Sequence, residues 1–115
     1  MKVNKLTYMA LDVTPNLNEV RAEIQPPKLQ AKGFFPLPQR VSIIEGENSE
    51  KERAYYVYLV YSDKTPDTAL AWKKIEPMVS WVRQYVWDHT GQTRWPYIKV
   101  KREQELPPEL ANAQS

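Results

Sequence analysis

The nine residues Arg53–Tyr61, RAYYVYLVY, constrain the fold more than any other stretch of the chain. Side chains alternate along a strand, so Tyr55, Val57, Leu59 and Tyr61 point one way and Tyr56, Tyr58 and Val60 the other. Both sets are apolar or aromatic, which predicts a central strand with neither face fully in water. The first set is longer and is assigned to the core, which turns Tyr56 and Tyr58 to the opposite face.

The rest of the chain supplies neighbours for this strand. Arg40–Gly46 (RVSIIEG) reads as its hairpin partner, joined through ENSEK, and Trp95–Glu103 (WPYIKVKRE) alternates as a last strand. Lys5–Val13 (KLTYMALDV) reads as a first strand, with Thr7, Met9, Leu11 and Val13 on one side and Tyr8 on the other.

The longest helix is predicted over Thr65–Gly91. Thr65 before Pro66 is a start signal, Gly91 a stop, and Trp72, Ile75, Val79, Val82 and Val86 form one apolar stripe. Pro77 lacks the amide for the preceding turn, which predicts a kink or two abutting helices.

Asn16–Gln25 carries two patterns. Leu17, Val20 and Ile24 fall at helical spacing, with Asn16 and Glu19 placed for a capping box, while Val20, Ala22 and Ile24 alternate as a strand; helix is the favoured reading. Residues 26–39 hold four of the ten prolines, which predicts a stiff loop without regular structure. Its Phe34 and Phe35 either lie over the edge of the core or dock a protein partner. The fold class is therefore α+β: a largely antiparallel sheet of four or five strands with one long kinked helix on one face. Residues 1–104 form a single domain and 105–115 a flexible tail.

Composition removes several classes of function. At 115 residues the chain suits one domain, and 42% hydrophobic with 26% charged residues is the balance of a globular protein. With no cysteine, thiolate nucleophiles, disulfides and thiolate metal sites are excluded, and an intracellular, cytoplasmic setting is expected. No apolar run approaches the roughly 20 residues of a membrane span, and polar residues interrupt the N-terminal stretch where a signal peptide would be continuous. Three glycines cannot build a phosphate cradle of either common type.

His89 is the single histidine; beside Asp88 it suits the negative end of a helix better than general-base chemistry. Glu45, Glu47, Glu50 and Glu52 lack the spacing of a calcium loop and suit a solvated hairpin turn. No cofactor, metal or catalytic residue is expected, and the reading is non-enzymatic.

The net charge of +2 is small, but charge is segregated: Arg94, Lys99, Lys101 and Arg102 fall in a stretch free of acids. Placing Ile98 and Val100 toward the core turns Tyr97, Lys99 and Lys101 to the other face. Tyr8, Tyr56, Tyr58, Tyr97, Lys99 and Lys101 are then a candidate surface for single-stranded nucleic acid, with rings to stack bases and ammonium groups to neutralise phosphate.

With a helix at 16–25, the order of elements over residues 5–103 resembles the ferredoxin-like arrangement of RNA-recognition-motif domains, which implies an aromatic sheet face that binds RNA. The alternative is an adaptor or inhibitor that binds a protein through the same face or through Phe34 and Phe35, or a homodimer formed through that face.

Overall fold

The computed structural model describes residues 17–107; the expected first strand with Tyr8, and residues 108–115, lie outside them. Two short helices, α1 (Leu17–Glu23) and α2 (Pro26–Ala31), precede strands β1 (Arg40–Glu47) and β2 (Arg53–Tyr61). A 3-10 turn (Asp67–Leu70), the long helix α3 (Trp72–His89), strand β3 (Trp95–Arg102) and a second 3-10 turn (Glu103–Glu105) follow.

The sheet is three-stranded and mixed among the described residues, in the order β1-β2-β3. β1 pairs antiparallel with β2, Ile43 opposite Val57. β2 pairs in parallel with β3, Tyr56 opposite Tyr97 and Tyr58 opposite Lys99. Among the described residues the sheet thus has fewer strands than expected and is mixed instead of largely antiparallel, while the described elements keep the expected chain order of helix, strand, strand, helix, strand. The reason lies in the connection: α3 is long enough to carry the chain back across the sheet, so β3 can lie parallel beside the tyrosine strand.

Core and strand parity agree with the alternation of β2. Tyr55, Val57, Leu59 and Tyr61 are buried with Val41 and Ile43 of β1 and with Ile75, Met78, Val79, Val82 and Val86 of α3. Trp72 does not join this stripe. The chain is extended at Ala71, α3 starts only at Trp72, and the indole at that free end is 58% exposed. Pro77 lies inside α3, which runs through it as one element. Its missing amide forgoes the one bond to the Lys73 carbonyl, and the helix continues on either side.

Val82 is fully buried in the middle of the stripe. Val82→Ala removes methyl groups from a packed site, with an expected loss of about 1–3 kcal/mol in urea unfolding; a change within error would place the stripe elsewhere.

The first half of the chain closes one edge of the sheet. The segment at 17–23 is helical, with Val20 and Ile24 buried under the sheet. Pro26 and Pro27 open α2 instead of preventing it, because the first turn of a helix has no use for their missing amides. This corrects the expectation of a stretch without regular structure. From α1 and the turn after it, Gln25 Nε2 donates to Val41 O at 2.8 Å and Val41 N donates to Gln25 Oε1 at 3.3 Å. Arg21 Nη2 donates to Ile43 O at 3.1 Å. These side chains take the place of a further strand along β1, satisfying backbone groups that would otherwise be open to pairing.

The loop after α2 splits its two phenylalanines. Phe34 packs on the core edge, whereas Phe35 is 81% exposed. Tyr61, at the core end of β2, donates its hydroxyl to Pro36 O at 2.9 Å, and burial pushes its pKa from 10.0 up to about 12.

The folded state therefore keeps this phenol neutral where the unfolded chain ionises it. The stability this adds is complete below pH 10 and is lost as the pH rises to 12. Below pH 10, Tyr61→Phe is expected to cost about 1 kcal/mol for the lost hydrogen bond. The gap between variant and wild type should then narrow across that window in pH-dependent melting curves. A gap that stays constant to pH 12 would show the hydroxyl is not buried as described.

Candidate nucleic-acid interface

The sheet face turned away from α3 carries Arg40, Ser42, Ile44 and Gly46 from β1, Tyr56, Tyr58 and Val60 from β2, and Trp95, Tyr97, Lys99 and Lys101 from β3, as the register dictates. All the described residues of the expected surface fall on this one face. They do not form one uniform platform.

One corner is covered. Val60 is fully buried beneath Leu106, and Ile44 and Tyr58 pack against that pair. Leu106 belongs to the stretch expected to be a tail; the 3-10 turn at Glu103–Glu105 folds it back onto β2 instead. Tyr58 therefore has a packing role on this face.

The other end is more open. The rings of Tyr56 and Tyr97 stack with centroids 5.5 Å apart and planes 23° apart, as directly paired residues of neighbouring strands can. Both hydroxyls are held: Tyr56 donates to Glu47 O at 2.7 Å, and Asn48 Nδ2 donates to Tyr97 Oη at 3.3 Å. The Tyr56 ring also leans over Gly46, where an added Cβ would come within 3.0 Å of it. A side chain at position 46 would push the ring aside, so the glycine is needed for the ring's position. Tyr56 is half-buried and fixed, and Tyr97 lies on the side of the stack nearer the free edge of the sheet.

Charge separates into two groups. Three arginines in or beside the sheet are matched: Arg40 with Glu103 at 2.8 Å, Arg94 with Glu45 at 2.9 Å, and Arg102 with Asp67 at 2.7 Å. Lys99 and Lys101 make no ion pair among the described residues, and Lys99 Nζ sits 5.9 Å from the centre of the Tyr56 ring. An unmatched cation beside a stacked pair of rings, with a second farther along the strand, supplies the elements of a single-strand site.

Trp95 starts this row by parity, but its ring stands at the rim of the face, turned round the start of β3 toward α3. It shares the side of Tyr97 by register, is 46% exposed, and tilts against Trp87 of α3 at 5.5 Å. The alternation that placed Tyr97 places Trp95 as well, so the sequence held the signal for it.

A second aromatic row lies on α3. Phe34 meets Trp81 at 6.0 Å, Trp81 stacks on Tyr85 at 5.0 Å, Tyr85 on His89 at 3.9 Å, and Lys32 Nζ lies 4.7 Å from the Trp81 ring. The helical spacing of four residues produces this ladder. His89 closes α3 with Nδ1 2.9 Å from Tyr85 O, and Asp88 is engaged by Gln84 and Gln92. Among the described residues no group of three or more His, Asp or Glu could hold a metal ion, and no helix is long and apolar enough to cross a membrane. No protein-family model, curated protein or solved structure matches this chain.

Proposed function

We propose that the protein is a small non-enzymatic module that binds single-stranded nucleic acid along β3, on the sheet face opposite α3. The observation that carries this reading is the stacked Tyr56–Tyr97 pair with Lys99 beside it and Lys101 farther along the same side of β3, two cations without carboxylate partners among the described residues. Bases stack on Tyr97 and Trp95, and the two lysines take the phosphates. Tyr56 supports Tyr97 from behind and holds it in place.

Any sequence preference is weak, because ring faces accept every base and ammonium groups read only the backbone. The test is a fluorescence-anisotropy titration with a labelled single-stranded oligonucleotide at two salt concentrations. Saturable binding that weakens as salt rises supports the reading, since phosphate contacts release counterions.

A second reading, an adaptor or inhibitor that docks on a protein, draws on Phe35. Its ring is 81% exposed next to the Phe34–Trp81–Tyr85 row, away from the lysine face. Phe35→Ser would abolish docking there and leave oligonucleotide binding intact.

A further inference from the structure

The two edges of the sheet are treated differently. Along β1, Gln25 and Arg21 occupy outward-facing backbone groups. Along β3, Pro96 has no N–H to give, and the Arg102 amide donates to Glu105 Oε1 at 2.7 Å. Those two positions mark the even-numbered residues as the ones whose backbone faces away from β2. Between them, the N–H and C=O groups of Ile98 and Val100 have no hydrogen-bond partner among the described residues. Lysines normally discourage pairing at such an edge, so the arrangement of Lys99 and Lys101 decides what can bind there.

The sequence of β3, WPYIKVK, is antisymmetric about Ile98: aromatic rings stand at Trp95 and Tyr97 on one side and ammonium groups at Lys99 and Lys101 on the other. In an antiparallel pair of two such strands centred on Ile98, Tyr97 faces the partner's Lys99 and Trp95 faces the partner's Lys101. Each cation then meets a ring, a favourable contact, and no lysine meets a lysine directly. A register centred on Lys99 would set the two Lys99 ammonium groups against each other, which is destabilising.

The backbone agrees with the first register. In that register the N–H and C=O of Ile98 would exchange bonds with those of the partner's Ile98, and the Val100 N–H would reach the partner's Pro96 carbonyl. On the α3 side, Ile98 meets its own copy and Val100 meets Pro96, so that side stays apolar.

From the antisymmetric strand and its open edge we infer that the protein forms a two-fold homodimer through β3, centred on Ile98, with one sheet running continuously through both subunits. The inference goes beyond the nucleic-acid reading and does not depend on it; a dimer would double the Tyr and Lys surface and set the two copies side by side.

The absence of cysteine from the chain makes the test direct. Residues directly opposite in a hydrogen-bonded antiparallel pair have Cα atoms about 5.5 Å apart, within disulfide reach. Full-length Ile98→Cys, oxidised mildly, should run at twice the chain's mass on a non-reducing gel and return to monomer on reduction. Val100→Cys, placed opposite Pro96, should stay largely monomeric. Sedimentation of the unmodified protein, which needs no variant to fold, should give the dimer mass.

A monomer in sedimentation overturns the inference. So does a dimer in which Ile98→Cys fails to cross-link while its circular dichroism matches wild type, because another surface is then in use. Preferential cross-linking of Val100→Cys would overturn the register centred on Ile98.

Discussion

Tyr55→Ala is expected to lower stability by roughly 3–5 kcal/mol, the loss typical of deleting a core aromatic ring. The ring is 2% exposed within the cluster shared by the sheet and α3, and burial raises its pKa. The Arg94 guanidinium lies 5.4 Å from its centre and is itself paired with Glu45 at 2.9 Å. Removing the ring leaves a cavity and takes away the surface on which that ion pair rests. A domain with about 5–15 kcal/mol in total would lose a large share of it.

Tyr97→Ala is the informative control. Its ring is half-buried and contributes mainly one stacking contact, so a loss of about 1 kcal/mol is expected. Urea unfolding of the two variants checks the difference. Equal losses would mean that the two faces of the sheet are not distinguished as described.

The largest effect on binding is expected from Lys99→Ala combined with Lys101→Ala. Neither lysine is ion-paired among the described residues and Lys99 is exposed, so the fold of each subunit, read by circular dichroism, should match wild type, while the ring contacts across the proposed dimer are lost. Each phosphate contact on a single strand contributes about 0.7 to the slope of log affinity against log salt, so the double variant should lose roughly 1.4 of that slope. Affinity at low salt should fall on the order of tenfold, to a similar degree for oligonucleotides of different sequence. Anisotropy titrations at several salt concentrations read both quantities. An unchanged slope would mean that phosphate is held elsewhere.

What could be read in the sequence followed from side-chain periodicity. The alternation in Arg53–Tyr61 separated Tyr55 and Tyr61 from Tyr56 and Tyr58 correctly, and the spacing of Ile75, Val79, Val82 and Val86 gave the buried stripe of α3. Periodicity is a local property, and it carries no information on which strand lies beside which. The parallel pairing of β2 with β3 depends on how α3 crosses the sheet, which the alternation of WPYIKVK does not record.

One local error came from treating proline only as a breaker: Pro26 and Pro27 start α2. Trp72 fitted the helical spacing but stands at the free end of the helix, beyond its packed part.

On the candidate surface, parity placed Tyr56, Tyr58, Tyr97, Lys99 and Lys101 on one face but could not show how that face is covered. Leu106 folding onto Val60, and Tyr56 leaning over Gly46, are contacts between residues distant in sequence. They turn Tyr58 and Tyr56 from bare rings into supporting ones, and they leave Trp95 and Lys99 exposed, with Tyr97 and Lys101 half-buried beside them. The edge seal formed by Arg21 and Gln25 was equally invisible, because nothing local to α1 refers to β1.

The most direct test of the account is nuclear magnetic resonance mapping of the full-length protein during titration with a single-stranded oligonucleotide, following backbone amides and aromatic ring protons. The expected result is a saturable, salt-sensitive set of shifts concentrated at Trp95, Tyr97, Lys99 and Lys101, with smaller ones at Tyr56 behind them. Shifts confined to Phe35, Trp81 and Tyr85, or none at any oligonucleotide concentration at low salt, would contradict the assignment of the β3 face to nucleic acid.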